Sequence, residues 1–473
     1  MADVLPRSDS ALRPAPPEAW EPLLRLARRT ARPLERFLQI EAASGVLLLV
    51  ATLIALLWAN SPWAVTYQRL LDTSLGLRIG GWGFERSLSW FVNDALMVLF
   101  FFVVGMEIRR EVDHGELSQW KRALLPLAAA FGGMIVPALL YLLMAGAAAT
   151  RSGWGVPMAT DIAFAIGVLT LLGPRVPPAL RVLLLALAVI DDLGAILVIA
   201  LFYSSDLVLS GFAVAAAGIA AILLLQRSGV RHKALYVPPA VVAWAGIYAA
   251  GVHPTIAGVL VGLLTPVRAW LGPGGFVQDL QQQLGELLAQ PSHSVSPSQL
   301  SAHLRAINRA RREAMSPAEA LIEALHPWVA FLIMPLFALT NAGVQLDSNA
   351  PTGPALAVLS GSSIGLLIGK PLGILLACLV ALRLRMAVLP RDLSVRHLLV
   401  LGVVGGVGFT MSLFIAQLAF TDPKLLAAAK LGILGASLCA GTLSLILGRL
   451  LLQSPSDPHG AASADEAESS TEL

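Results

Sequence analysis

Residues 183–202 form one apolar run of membrane-spanning length that carries two adjacent carboxylates, Asp191 and Asp192, near its centre. About 20 apolar residues are what a helix needs to cross the hydrocarbon core of a bilayer. A charge at the bilayer centre costs at least ~2.5–3.5 kcal/mol, so two acids there need a proton, a cation or a fixed positive partner. A helix turns about 100° per residue, so the two side chains point in different directions. One can line a cation site while the other meets a counter-charge; a purely structural ion pair between helices is the alternative.

The composition places the chain in a membrane. Hydrophobic residues make up 56% of the 473 residues, charged residues only 13%, and the mean hydropathy is +0.74. A soluble domain carries about 25% charged residues, so that class is excluded. The two cysteines, Cys378 and Cys439, lie in apolar runs and imply neither a disulfide framework nor a metal cluster. The N-terminus is polar and Arg-rich, and no cleavable signal peptide is predicted.

Twelve apolar runs are candidate membrane-spanning helices. They lie near residues 38–59, 88–108, 123–147, 156–172, 179–203, 208–226, 234–249, 251–266, 322–343, 360–382, 397–420 and 426–451. The seventh and eighth are short, and the boundary between them is the least well defined. With the N-terminus in the cytoplasm, 26 of the 33 Lys and Arg residues fall in cytoplasmic segments and six in outer ones. Because positive charge concentrates on the cytoplasmic side, we expect both termini there.

Four segments lie outside these runs. Residues 1–37 are predicted to be a cytoplasmic arm, and 453–473, rich in Ser and Glu, a disordered cytoplasmic tail. Residues 77–84 alternate around two glycines, which indicates a small outer hairpin. Residues 268–315 form a long cytoplasmic insert that ends at a capping box in 316–319.

Two of the runs are interrupted. Pro157 and nearby glycines weaken the helix just before Thr160 and Asp161, and a glycine-rich interruption recurs at 402–410. Broken backbone inside a membrane survives where it lines a cavity or is packed in protein. Spans three to five and ten to twelve thus each hold an interrupted middle helix, and an odd number of spans makes the two units opposite in orientation. The alternatives are a Thr–Asp cap on a kinked structural helix and glycines that only permit close packing.

The predicted fold class is therefore an all-α multi-pass membrane protein. It has twelve transmembrane helices in inverted-topology repeats, with two interrupted helices.

Lys370 is the one basic residue in mid-span, and we expect it to be the counter-charge for Asp191 or Asp161. The glycines before it do not form a phosphate-binding loop, because their spacing is wrong and Pro371 stands where Ser or Thr is required. A lysine snorkelling to the interface is the alternative, but ten or more residues remain on either side of it.

Four other ionisable residues lie near the ends of spans. Glu107 and Glu111, taken alone, have the spacing of a solvated charge cluster at the cytoplasmic end of the second span. His253 precedes a proline and fits an ordinary helix-end residue equally well. Asp94, near the outer end of the second span, is interpreted as structural.

Several of these motifs resemble the NhaA family of sodium/proton antiporters. The resemblance runs in order from about residue 41 to residue 449, and its motifs lie at 132–138, 159–165, 189–196, 326–329, 341–344, 369–373 and 406–412. This family is itself a standard example of an inverted-repeat transporter. The insert, the N-terminal arm and the tail depart from the family pattern.

The resemblance implies an ion site. Asp192 looks like the carboxylate that binds sodium or lithium directly, with Asp191 beside it and Thr160 contributing an oxygen. Lys370 resembles the lysine that pairs with the first aspartate of the pair. Asp161 and Lys370 would also offset the dipoles of the half-helices where the interrupted helices cross.

The resemblance also implies regulation and assembly. Glu107, Glu111 and His253 align with positions implicated in the family's pH response, and the hairpin near 77–84 with its homodimer contact. The transporter would comprise residues 38–267 and 316–452. Its core spans would be about 123–203 and 360–451, and its interface spans about 38–108, 208–266 and 316–343.

The expected function is a pH-regulated antiporter of a bacterial inner membrane that extrudes Na⁺ (or Li⁺) in exchange for H⁺. It would act by alternating access at the aspartate pair, without a cofactor and without a nucleic-acid partner. Two carboxylates allow more than one proton per sodium ion, so the exchange would be electrogenic. A sodium-coupled solute symporter of related fold is the alternative. An intramembrane aspartyl protease is a remote one, since Ala188-Val189-Ile190 replaces the Gly-x-Gly that such enzymes need before an aspartate.

Overall fold

The described part of the chain is almost entirely helical. The computed structural model describes residues 41–79, 82–146, 148–204, 207–288, 296–346, 351–390 and 392–452. The predicted N-terminal arm and C-terminal tail lie outside the described residues. A single two-stranded antiparallel sheet is present within them.

The elements follow in this order: α1 (Glu41–Ala59), α2 (Ala64–Leu71), β1 (Ser74–Ile79), β2 (Trp82–Ser87), α3 (Leu88–His114), α4 (Trp120–Met144), α5 (Ala148–Met158), α6 (Ile162–Leu172), α7 (Pro178–Phe202), α8 (Leu209–Arg227), α9 (Val237–Ala249), α10 (Thr255–Leu264), α11 (Gly272–Leu288), α12 (Pro297–Ala314), α13 (Pro317–Asn341), α14 (Pro354–Arg383), α15 (Val395–Gly405), α16 (Phe409–Ala419) and α17 (Pro423–Leu451).

The spans confirm the predicted all-α multi-pass class. Seven helices of the described residues are long and apolar enough to cross a membrane: α3, α4, α7, α8, α13, α14 and α17. The number rises to ten if each sharply bent pair of helices counts as one span. Helices α9 and α10 are shorter, with 13 and 10 residues, so the number twelve stays a prediction.

Both predicted interruptions are confirmed, and the two broken helices cross. The chain bends by 44° between α5 and α6 and by 46° between α15 and α16. At the crossing, the amide of Asp161 donates to the carbonyl of Val407 at 2.8 Å, and Thr160 Oγ1 lies 3.2 Å from the carbonyl of Gly405. Each break thus satisfies polar backbone groups of the other, which is what permits irregular backbone at this depth.

The hairpin and the capping box are also confirmed. Strands β1 and β2 pair antiparallel from Ser74↔Ser87 to Ile79↔Trp82. Ser316 and Glu319 exchange hydrogen bonds at the start of α13, with the Glu319 amide 3.1 Å from Ser316 Oγ. Between α10 and α13 the insert folds as two helices packed on each other, α11 and α12, which the sequence analysis did not foresee. Below, the two ends of the molecule are called the hairpin end (β1, β2) and the insert end (α11, α12).

Small residues set how closely the helices pack. Helices α4 and α14 cross where Gly132 and Gly373 face each other, and a Cβ on either would collide with the backbone of the other helix. In lipid, close helix contact of this kind depends on small residues, since lipid tails are as apolar as leucine. The crossing matters because α14 also carries Lys370, one turn before Gly373.

We predict that Gly373→Ala destabilises the protein although alanine favours helix by about 1 kcal/mol. The added methyl forces α4 and α14 apart, an overpacking cost of about 1–3 kcal/mol. The matched control is Gly435→Ala in α17, where an added Cβ meets nothing within 4 Å. Thermal unfolding in detergent should place Gly373→Ala below wild type and Gly435→Ala at or above it. Equal unfolding temperatures for the two variants would contradict the close contact between α4 and α14.

Candidate ion-binding site

Asp191 and Asp192 lie in the middle of α7, which is an unbroken helix that begins with Pro178 at its first position. Leucine, alanine and isoleucine dominate the helix, so both aspartates are carried into the interior by apolar packing on either side. Each side chain is only 1% exposed. Neither aspartate faces the lipid, so the charge of each must be compensated by the protein or by a bound ion or proton.

Lys370 provides that compensation for Asp191. Its Nζ lies 2.9 Å from Asp191 Oδ2 and also donates to the carbonyl of Met158, at the end of α5. Thr160 Oγ1 donates to the same Asp191 oxygen at 2.7 Å. Of the two partners that the sequence left open for Lys370, the structure contains the ion pair with Asp191. A π-helical turn, Gly365–Gly369, comes directly before Lys370 in α14.

Asp161 lies between the two half-helices. Its Oδ1 accepts from the amide of Phe164 at 3.0 Å and caps α6. Its Oδ2 accepts from both the hydroxyl and the amide of Thr410, the latter at 3.2 Å, in the first turn of α16. A helix N-terminus is equivalent to roughly +0.5 of a charge, so two of them offset one carboxylate. Asp161 is therefore compensated by backbone rather than by a cation.

Asp192 is the carboxylate that remains. Among the described residues, no hydrogen-bond partner reaches either of its oxygens or Oδ1 of Asp191. The negative charges of Asp191, Glu107 and Asp161 repel the negative charge of Asp192. Among the described residues, the positive charge of Lys370 attracts it. With Lys370 engaged by Asp191 and Asp161 by two helix ends, about one negative charge is left over. Three buried, unpaired carboxylate oxygens can accept a small cation or protons.

The site differs from a resident metal centre. Among the described residues, no group of three or more His, Cys, Asp and Glu side chains is gathered closely enough to hold a metal ion. Carboxylate and hydroxyl oxygens suit hard cations. A transported monovalent ion fits this donor set.

Two of the three predicted pH-response residues, Glu107 and Glu111, lie one helical turn apart on α3, and His253 lies away from them. Glu107 is half-buried on α3. Glu111 lines a cavity of about 310 Å³ at the insert end, and its Oε1 accepts from the amide of Glu116 at 2.6 Å. On α7 this cavity ends at Leu185, seven residues or about 10 Å from Asp192.

His253 lies at the hairpin end. Its Nε2 is 3.5 Å from Asp94 Oδ1, and its Nδ1 is 2.8 Å from Thr255 Oγ1. Asp94, interpreted as structural from the sequence, is thus the partner of one of the predicted pH-response residues.

The sequence analysis missed two members of the site. Thr410 was only part of a family motif, although a hydroxyl residue that follows a glycine-rich break is a recognisable helix-start signal. The Met158 carbonyl could not be found, because nothing in a sequence shows which backbone oxygen a distant lysine will reach.

Broken helices that cross beside buried charges define a class, the secondary transporters of small ions. Residues 35–447 match the model of the family described as Na⁺/H⁺ antiporter 1, and the chain belongs to this family. It is therefore a sodium/proton antiporter and a transporter rather than an enzyme.

Several relatives align with most of the chain. The chain is 62% identical to "Na(+)/H(+) antiporter NhaA 2" of Myxococcus xanthus over 473 residues, which covers both proteins completely. It is 53% identical to "Na(+)/H(+) antiporter NhaA 2" of Sorangium cellulosum, covering 98% of this chain and 99% of the relative. It is 48% identical to "Na(+)/H(+) antiporter NhaA" of a Janthinobacterium species, covering 89% and 94%. These names support neither the symporter nor the protease interpretation.

We predict strong energetic coupling between Lys370 and Asp191. Lys370→Met and Asp191→Asn should each cost about 3–5 kcal/mol of stability, because each leaves the partner charge buried and unpaired. The double variant should cost much less than the sum of the two. Unfolding in detergent measures all three.

The exposed ion pair between Arg231 and Glu313, at 2.5 Å, is the matched control. Its coupling should stay below about 1 kcal/mol because water screens it. Additive effects at Lys370 and Asp191 would show that the two charges do not depend on each other.

Proposed function

We propose that the protein exchanges sodium for protons because both compete for the carboxylates of Asp191 and Asp192. The observation that carries this proposal is the set of three buried carboxylate oxygens without a hydrogen-bond donor, two of them on Asp192. A sodium ion held there would replace its water ligands with these oxygens and, after a small rotation, with Thr160 Oγ1. Protons at the same oxygens remove the charge that holds the ion.

Lys370 and Asp161 have different roles in this cycle. Lys370 compensates Asp191 when no ion is bound, so a cation or proton that reaches Asp191 weakens an existing ion pair. Asp192, which has no such partner among the described residues, receives it without that cost. Asp161 ties the start of α6 to the start of α16. The crossing of the two broken helices therefore moves as one body.

Transport then follows from the movement of one unit against another. The core unit comprises α4–α7 and α14–α17, and the interface unit comprises α1–α3, α8–α10 and α13. Within the core unit α4 packs against α7 and α14, and within the interface unit α3 packs against α10. All of the ion-site side chains lie in the core unit, so its rocking carries the site from one side of the membrane to the other.

The exchange is electrogenic in this proposal. Two carboxylates can take up two protons for each sodium ion released, so one net charge crosses per cycle. Such a charge is worth about 2.3 kcal/mol per 100 mV of membrane potential. The potential across a bacterial inner membrane would thus drive the export of sodium, and lithium would bind to the same oxygens.

The remaining elements of the proposal concern orientation, regulation and assembly. The insert end faces the cytoplasm together with both termini, and the hairpin end faces outward. Glu107 and Glu111 lie on the path between the cytoplasm and the site, and His253 lies on the outer path, so their protonation changes access with pH. Two copies pair through the hairpin formed by β1 and β2 and are held in the lipid bilayer.

Asp192→Asn should abolish exchange, because an amide can neither release a proton nor hold a sodium ion by charge. Everted membrane vesicles with an imposed pH gradient report this as loss of the sodium-dependent rise in internal pH. Runs with lithium and potassium, across a range of pH, measure selectivity and pH response in the same assay. Asp279→Asn, on α11 of the insert, is the control and should exchange like wild type. Full exchange by Asp192→Asn would end the proposed mechanism.

A further inference from the structure

Three amide side chains form a closed hydrogen-bonded cluster near the hairpin end. Asn93 Nδ2 lies 2.9 Å from Gln417 Oε1 and 3.3 Å from Asn341 Oδ1. Asn341 Nδ2 donates to Asn93 Oδ1 at 2.7 Å, and Gln417 donates to Asn341 Oδ1. Every side-chain carbonyl oxygen of this amide cluster accepts from another member. All three oxygens are therefore engaged within the cluster.

The amide cluster bridges the two units. Asn93 lies on α3 and Asn341 at the end of α13, both in the interface unit, whereas Gln417 lies on α16 of the core unit. Asn341 is fully buried and also donates to the carbonyl of Phe337 at 2.9 Å, which fixes it to its own helix. Gln417 is thus the single contribution of the moving unit to the cluster.

A second layer lies beneath the amide cluster, closer to the ion site. Phe414 is 1% exposed and packs against Phe101, Phe337 and the ring of His253, with ring centroids 5.3, 6.1 and 5.3 Å away. All three neighbours belong to the interface unit or to the loop before α10. A core-unit aromatic ring is therefore enclosed on this side by the other unit.

The two layers share one helix face with the ion site. Thr410, Phe414 and Gln417 are spaced i, i+4 and i+7 on α16, which puts them on the same side of the helix. Thr410 contacts Asp161, Phe414 fills the aromatic layer, and Gln417 completes the amide cluster. The path from the ion site to the hairpin end along this face is thus blocked twice, while the cavity lined by Glu111 lies at the opposite end.

We infer that the amide cluster is a latch that keeps the ion site closed on the side of the hairpin end. Gln417 must lose its hydrogen bonds to Asn93 and Asn341 before the site can face outward. This inference rests on the proposed function, because it requires that the core unit moves against the interface unit. When α16 moves, Gln417 leaves Asn93 and Asn341, and Phe414 leaves its aromatic cage. The freed amide oxygens then line the opening and can receive a sodium ion on its way out.

The three residues are positioning residues, since the hydrogen bonds of their side chains run within the cluster and to the carbonyl of Phe337 and not to the aspartate pair. Their effect is on which side the site faces. A latch that stabilises the inward-facing form raises the fraction of molecules that can bind sodium from the cytoplasm. Loss of the latch lowers the apparent affinity for sodium in proportion to the fall in this fraction.

The test is a reversible cross-link across the boundary between the units. Side chains that meet through amide groups can keep their Cα atoms farther apart than a disulfide tolerates. We therefore use a short bifunctional methanethiosulfonate on Asn93→Cys/Gln417→Cys, in a background in which Cys378 and Cys439 are replaced by alanine. Sodium-driven proton exchange in vesicles should fall at least tenfold after cross-linking and return on reduction.

The matched control is Asn93→Cys/Asn341→Cys, whose two positions both belong to the interface unit. Its cross-linked and reduced forms should exchange at rates within about twofold of each other. Undiminished exchange by the linked Asn93–Gln417 pair would overturn the inference, as would an equal loss in the control pair. Exchange by the reduced forms of both variants shows whether the protein transports at all. A failure of the proposed function is therefore distinguished from a failure of this inference.

A second variant keeps the inference testable without any cross-link. Gln417→Leu keeps the side-chain volume and removes the hydrogen bonds. The apparent KM for sodium at the cytoplasmic face should rise about three- to tenfold, with kcat changed by less than twofold, and Gln417→Asn should recover part of the loss. An unchanged KM in Gln417→Leu would contradict the latch.

Discussion

The structure depends on the compensation of charge inside the membrane. Four ionisable side chains, Asp161, Asp191, Asp192 and Lys370, are at most 1% exposed. Three of them are acids and one is a base, so the protein must supply positive charge from its backbone or from solution. Asp161 takes it from two helix N-termini and Asp191 from Lys370. Asp192 has no such partner among the described residues, and in our proposal its charge is met by the transported ion.

The broken helices serve this compensation. An unbroken helix satisfies its own backbone and presents no free amides in mid-membrane, whereas each break exposes a helix N-terminus there. The breaks meet, so the amides of Phe164 and Thr410 converge on the one carboxylate of Asp161. The cost of irregular backbone is offset locally by the hydrogen bond that the amide of Asp161 donates to the carbonyl of Val407. The hydrogen bonds that hold the two broken helices together thus also form part of the ion site.

Much of this could be predicted from the sequence. Apolar length predicted the multi-pass class, though the number of twelve spans stays a prediction. Proline and glycine marked the breaks, and the hairpin and capping box carried local signals that the structure confirms. The charge argument selected Asp191, Asp192 and Lys370, because in-membrane charge is rare enough to stand out. The resemblance to a known family supplied the roles of individual residues.

The rest depends on long-range contacts that leave no local pattern. The choice of Asp191 over Asp161 as the partner of Lys370 depends on how α7 and α14 both pack against α4. The amide cluster joins three distant helices, and its members are polar residues near helix ends, where such residues are common. The two helices of the insert were missed because glutamine, serine and arginine fit a helix surface and a loop equally well.

The central claim is that sodium and protons exchange at the same carboxylates, and counting protons released on binding tests it most directly. Calorimetric titration of the detergent-solubilised protein with NaCl, repeated in buffers of different ionisation enthalpy, gives that number without any transport. The account predicts that one to two protons leave for each sodium ion bound and that acidification weakens binding. Sodium binding of undiminished strength with no proton released would contradict it.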